Sequence, residues 1–473
     1  MVAAALPVRG YAATNIYRSV GPARTSPVAT PVAGQSLTIS GTTATFANAD
    51  IPDNVGVGDV IQYDSNPQGG GVDALVVIHG RTNARTYTVA DPDGGAPSAA
   101  TTGDMDWSIY RAYIGLEDAD DGIENTGVDA SVRNFDTFTD GRNLVTADEI
   151  WNIACYVESS ADTESARIND NGTGDWVTDA SRYIRIYTPY QVTEVGVSQR
   201  HAGVWTTSAY RLEVTGGQAL DFGVGCARVE GLQVRIINPT SNGQGGITLG
   251  EQIVDIRVSH CIVWGEADST YNNNNGITSY QGTGTARIWN NIVYEVYGST
   301  ASSGIVINGS DLTAYVYNNT VQDCNLGITS WSGDITLYNN IAQDCGDEGF
   351  GGNSADVYDY NNSDDNSHPG GSNSTYGEVS FVDETSIPAR DLHLTGSDSY
   401  ARNQGTDLSG DSNLPFSNDI DRESRPYGAT NWDIGADEYY PPATATPTWS
   451  PTFTSTPSLT PTPTPTQSPT STA

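Results

Sequence analysis

The chain contains no lysine. All 21 basic residues are arginines, set against 57 carboxylates, and the formal net charge is −36. This balance excludes sequence-independent nucleic-acid binding, which needs a basic surface. It also excludes chemistry that relies on a lysine base. A lysine-free composition fits either a biased genome or an acidic habit suited to high salt, and composition does not choose between them. Cys155, Cys226, Cys261, Cys324 and Cys345 are too few and scattered for a disulfide scaffold, and none forms a zinc-type CxxC pair. The five histidines show no ligand spacing. No apolar run reaches the roughly 18 residues that a membrane-spanning helix needs.

What is abundant points to strands and turns. Glycine numbers 51, methionine only 2, and Asn, Asp, Ser and Thr are frequent, so long amphipathic helices have little material. A chain of 473 residues exceeds one compact core and implies several domains or an extended repeat. Residues 1–34 read as a flexible lead; the opening MVAAALPVRGYAAT is a truncated remnant of a signal peptide at most. Residues 35–125 hold SLTISGTTATFANADIP, VGDVIQY, ALVVIHG and RTYTVAD, whose alternation predicts an N-terminal β-rich domain or cap. Residues 441–473 are a Pro/Thr tract, expected to be extended and disordered, of the kind that spaces exported proteins from a surface.

Between them the chain repeats. IWNNIV at 288, VYNNTV at 316, LYNNIA at 337 and a degenerate DYNNSD at 359 follow earlier relatives VEGLQV at 229 and VSHCIV at 258. A second marker runs in step: Gly246-Ile247, Gly276-Ile277, Gly304-Ile305, Gly327-Ile328 and Gly349-Phe350. Both shorten at the same place, from 28–30 residues to 21–23, as stacked coils with loops of unequal length would. The segments between markers alternate with period 2 and not 3.6, so the stack is a β-solenoid.

These repeats resemble the right-handed parallel β-helix of the pectin-lyase-like superfamily, which implies an all-β fold over residues 126–400. NQGTD at 403, NDIDRESRP at 418 and DIGADE at 433 resemble the choice-of-anchor Q region of bacterial β-helix surface proteins, which implies a C-terminal cap over residues 401–440. The resemblance is specific for fold and poor for activity. Hydrolases of the polygalacturonase kind carry an Asp-Asp pair together with Gly-His-Gly and Arg-Ile-Lys, and that combination is not found around the repeats. The Asp-Pro-His signature of alginate epimerases is also absent.

Equivalent residues in stacked coils lie about 4.8 Å apart and form ladders. Asn291, Asn319, Asn340 and Asn362 are expected to form a hydrogen-bonded amide ladder, and Cys324 and Cys345, one coil apart, either a disulfide or a buried thiol pair. The informative ladder lies in IRI, YRL, ARV, IRV and ARI, where inward apolar residues flank outward arginines. It comprises Arg185, Arg211, Arg228, Arg257 and Arg287, with Arg167 as an earlier member. Stacked unit charges about 5 Å apart repel by about 0.8 kcal/mol even in water. Beyond Arg287 the face turns aromatic: Tyr315 and Tyr358 continue the column, with Trp289, Tyr317, Tyr338 and Tyr360 beside it. Guanidinium forks pair with carboxylates or sulfates, and aromatic rings pack on sugar faces. The stripe therefore suits an acidic polysaccharide. The competing reading is that Glu230, Asp255 and loop carboxylates neutralise the arginines while the aromatics lie under loops.

The expected function is a secreted or cell-surface protein that binds an acidic polysaccharide without a catalytic signature. The alternative is a polysaccharide lyase that eliminates uronates with arginine as base and calcium or a second arginine neutralising the carboxylate. Asp118, Asp120, Asp121 and Glu124 in DADDGIE are the candidate calcium ligands, with Asp364 and Asp365 a second acidic pair; neither matches an EF-hand, and in a chain with 57 acidic residues solvated loops are the favoured reading of both.

Overall fold

The computed structural model describes residues 12–66, 71–139, 141–169, 176–266, 271–279, 281–298, 301–352, 357–365, 367, 370–428 and 431–441. The Pro/Thr tract from 442 and the opening segment to 11 lie outside these. Residues up to Tyr439 form one compact unit, and those from Tyr440 are assigned to a second.

Three long parallel sheets run through this unit, and the chain visits them in rotation. Cys226–Glu230 enters the first sheet, Gln233–Ile237 the second and Gly245–Thr248 the third; Asp255–Ser259 then returns to the first, paired with Cys226–Glu230. The same circuit continues to the end of the stack, giving nine, eight and seven strands in the three sheets. The fold is thus all-β and solenoid-like; the two helices, Leu116–Asp121 and Leu144–Ala147, are short. Within each strand alternate residues point inward, so Ile256, Val258, Ile288, Val316 and Leu337 fill one continuous core.

Two sequence markers have separate physical causes. The glycines of the Gly-Ile pairs lie in the third sheet, directly against side chains of the second. A Cβ added at Gly246, Gly276, Gly304 or Gly327 would come within 2.6, 2.5, 2.3 and 2.9 Å of Val263, Val293, Val321 and Ala342. Any larger residue there would force the sheets apart. The paired asparagines divide two tasks. The first of each pair, Asn290, Asn318 and Asn339, takes a left-handed backbone conformation (φ 51°, 49° and 56°), which Asn tolerates well. The second is fully buried and laddered: Asn291 donates to Asn319 Oδ1 at 3.0 Å, Asn319 to Asn340 Oδ1 at 3.0 Å, and Asn340 to Asn361 Oδ1 at 3.0 Å.

The last rung of that ladder is Asn361, not Asn362. The final strand is Val357–Asp359, in which Tyr358 pairs with Leu337 and packs on the core. Neither Tyr358 nor Tyr360 therefore extends the outward aromatic columns. All five cysteines are free, which settles Cys324 and Cys345 as unbridged thiols.

Two expected boundaries shift. Residues 14–20, assigned to a flexible lead, form strand Thr14–Val20, which pairs in parallel with Glu149–Cys155 as the first member of the first sheet. Ile16 and Val20 fit the core there, and the buried Arg18 is neutralised by Asp136. Between Leu37 and Tyr110 lies a seven-stranded antiparallel sheet, which belongs to the same compact unit as the parallel sheets. The segment resembling a C-terminal cap does not close the end of the stack. It runs along the flank: Asn290 Nδ2 donates to Asn418 O, Asn318 Nδ2 to Asp433 O and Gly435 O, and Asn339 Nδ2 to Thr406 O. Residues 401–439 are thus a lateral strap held by the first asparagine of each pair, which it leaves fully buried.

The ladder should be the weak point of the stack. Asn319→Ala removes the acceptor used by Asn291 and the donors to Ile288 O and Tyr317 O. Leaving such groups buried and unpaired should cost roughly 2–4 kcal/mol, read as a lower urea midpoint with unchanged cooperativity.

Candidate arginine face and its surroundings

The outward face of the first sheet carries the candidate site. Strand pairing sets Arg185 beside Arg228, Arg228 beside Arg257 and Arg257 beside Arg287, then Tyr315 beside Arg287. The four-arginine column expected from the repeats is therefore built as one ladder. Above it, Tyr17 and Asn152 precede Arg185 in the same register. Arg211 is not a member. It begins strand Arg211–Thr215 of the second sheet and pairs with Glu213 at 2.5 Å. Arg167 lies in the third sheet, 3.5 Å from Asp221. The pattern apolar-Arg-apolar recurs in all three sheets, so it does not by itself say which face a residue joins.

Carboxylates lie among the four arginines, as the competing reading held. Arg185 meets Glu230 at 2.7 Å; Arg228, Arg257 and Arg287 all converge on Asp255, at 2.6, 3.0 and 2.5 Å. Burial acts to raise the pKa of Glu230, but Arg185 and Arg200 hold it down at about 2. Burial likewise opposes ionisation of Asp255, and the three arginines lower its pKa. Arg228 has a lowered pKa, through burial and then the neighbouring charge of Arg257. Its guanidinium donates to Ala227 O, Asp255 O and Asp255 Oδ2, and its side chain is 8% exposed. Arg257 is the open member, with 40% of its side chain exposed.

The aromatic half of the stripe is covered. Tyr317 is buried against Leu408, Leu414 and Trp432 of the strap, while Trp289, Tyr315, Tyr338 and Phe416 pack around them. Trp289 lies 6.4 Å from Phe416, and Phe416 lies 5.1 Å from Trp432. Arg287 Nε donates to Asn413 O, so the strap reaches the last arginine as well. Of the three arginines besides Arg257, Arg185 is 22% exposed, Arg287 18% and Arg228 8%.

The structure does not gather the candidate calcium ligands. Asp120 accepts the Trp176 indole N–H at 2.7 Å and the Asn169 N–H at 3.2 Å, and burial pushes its pKa up to about 7. Glu124 accepts Asp136 N–H at 2.7 Å. These two side chains, set in and after the helix Leu116–Asp121, fasten neighbouring segments, and among the described residues Asp118 and Asp121 complete no group of three ligand atoms. Asp364 and Asp365 accept N–H groups from Asp344 and Gly349. Among the described residues, the group that does converge, within 4.8 Å, is His393, Asp421 and Asp437. Burial acts to lower the pKa of His393, but Asp391 on Nδ1 and Asp421 on Nε2 raise it to about 11. It is an imidazolium clamp between the strand Asp391–Leu394 and the strap.

Sequence reading missed a second feature, a polar cavity lined by Tyr17, His79, Arg81, Gln191 and Glu194. Its residues come from segments far apart in the chain, around positions 17, 57, 79–88 and 191–194, and no repeat marks them. No protein-family model matches the chain, and neither a curated protein nor a solved structure matches it.

The strap carries an acid-stabilised carboxylate set. Burial raises Asp419 to about 8, Asp437 to about 7 and Asp433 to about 6. Each binds its proton more tightly folded than unfolded, so its contribution is complete below about pH 4 and fades as pH rises through 6 to 8. Glu230 and Asp255 have the opposite sign: their contribution is lost as pH falls below about 4. The melting temperature, followed by circular dichroism, should rise from about pH 8 to about pH 5 and fall again below about pH 4. Asp419→Asn should flatten the alkaline limb.

Proposed function

We propose that the chain is a secreted or cell-surface right-handed parallel β-helix of the pectin-lyase-like kind, with a flanking region like choice-of-anchor Q, that binds an acidic polysaccharide. One observation carries this reading: three guanidinium groups, Arg228, Arg257 and Arg287, share the single carboxylate of Asp255 in a chain with a net charge of −36. The acidic surface at large repels polyanions, whereas this column keeps a local surplus of cations. A uronate carboxylate or a sulfate ester is the group that balances such a surplus with bidentate hydrogen bonds. The parallel stacking of three sheets supports the β-helix reading, and the Pro/Thr tract supports export.

The lyase alternative requires an arginine free to take a proton. Arg228 has the lowered pKa, but its N–H groups face backbone and Asp255, so binding without cleavage is the better reading of this face.

The test is binding to pectate, alginate and sulfated glycosaminoglycans, with absorbance of unsaturated products followed in parallel. Arg257→Ala should weaken binding of the preferred polymer roughly tenfold, the scale of one charge-assisted contact, and steepen no salt dependence. Binding that ignores Arg257 and Arg185 would sink the proposal; release of unsaturated sugars would favour the lyase.

A further inference from the structure

We infer that the polar cavity at the head of the arginine column seats a single sugar ring, the terminal unit of the bound glycan. The identity of the polymer rests on the reading above; the presence of a sugar seat does not.

The cavity has a volume of about 420 Å³, within the range of small-molecule sites. Its walls come from the N-terminal sheet strand Ala74–Asn83, the first strand of the stack and the loop around residues 188–197. They are fixed to one another by backbone: Arg81 N–H donates to Thr193 O at 2.7 Å, and Val57 N–H to Glu194 O at 2.9 Å. The seat is thus preformed, which lowers the ordering cost of binding.

Its chemistry is that of a hydroxyl-binding site. His79 Nε2 is buried and has no hydrogen-bond partner in the protein, while the Arg81 guanidinium beside it is held by Asp53 at 2.9 Å and by Tyr87. A buried polar atom in the state of His79 Nε2 calls for a partner from outside the chain. Burial, and then the charge of Arg18, hold the His79 pKa down at about 4, so the ring is neutral and offers one donor and one acceptor. The Glu194 carboxylate accepts and the Gln191 amide does both. A sugar hydroxyl is both donor and acceptor, and suits this mixture better than a purely anionic or apolar ligand. Tyr17 lines the same space, its ring 5.2 Å from that of His79, and supplies the flat surface on which a sugar C–H face packs.

Position makes it an end site. Tyr17, Asn152 and Arg185 occupy one outward column, so two rungs, about 10 Å, separate the cavity from the first arginine. The strand bearing Tyr17 is the first of its sheet, and the N-terminal sheet packs beyond it. A glycan lying on the arginines therefore meets the cavity at one of its ends.

The experiment titrates the full chain with glucose, glucuronic acid and galacturonic acid by ligand-observed NMR and calorimetry. Wild type should bind at least one of them at millimolar concentration. Gln191→Ala, an exposed position, and His79→Ala should each weaken that binding at least fivefold, with circular dichroism confirming the fold. Arg257→Ala should leave monosaccharide binding intact while weakening the polymer. Failure of every monosaccharide to bind, or binding indifferent to both cavity variants, overturns the sugar seat whatever the polymer result. Loss of polymer binding alone in Arg257→Ala, with monosaccharides unaffected, supports the seat and the column separately.

Discussion

Register between coils is the constraint on which everything else in this molecule depends. A parallel ladder places residues of successive coils at nearly the same height, so a side chain suited to one coil sees its counterpart a few ångströms away. Apolar residues benefit from that arrangement, because every inward row closes on itself. Polar residues must be able to satisfy one another in single file. Asparagine can, since its amide donates to one neighbour and accepts from the next, and Asn291, Asn319, Asn340 and Asn361 form such a file with no solvent contact.

The same constraint turns hostile for charge. Four arginines in one column would repel, and the chain answers with two carboxylates placed in the adjacent column and row. Glu230 takes Arg185, and Asp255 takes the other three. The arrangement is stable because Asp255 is held ionised by its neighbours. It is also unbalanced, because one anion faces three cations. Structural need alone is met more simply by Thr, which the same column reaches at Thr336 two coils past Arg287.

How much of this could be read in advance depended on whether a feature repeats. The glycine and asparagine markers repeat, and they placed the coils; the apolar-Arg-apolar pattern put Arg185, Arg228, Arg257 and Arg287 in the ladder that the pairing shows. Arg211 and Arg167 were grouped with them because the local pattern is the same in every sheet. The degenerate DYNNSD copy hid a one-residue slip, for Tyr358 and not Asp359 takes the inward place of Leu337. Features made by single long-range encounters left no trace. The strap crosses more than a hundred residues of separation to reach Asn318, and the cavity joins Tyr17, His79 and Glu194. The outward asparagine of each pair was visible, but its service to a distant carbonyl was not.

The strap also changes what the aromatic residues mean. Trp289, Tyr315, Tyr317 and Tyr338 form a continuous stripe, and in isolation a stripe of that kind reads as a glycan platform. Here Leu408, Leu414, Phe416 and Trp432 occupy it. The strap is itself the ligand of the aromatic half: it supplies apolar side chains to the rings, and its carbonyls accept from the outward asparagines. Removing aromatic area from water by this route stabilises the contact by roughly 25 cal/mol per Å² of apolar surface. The stripe therefore divides by chemistry. Its apolar end is satisfied within the chain, and its cationic end only in part.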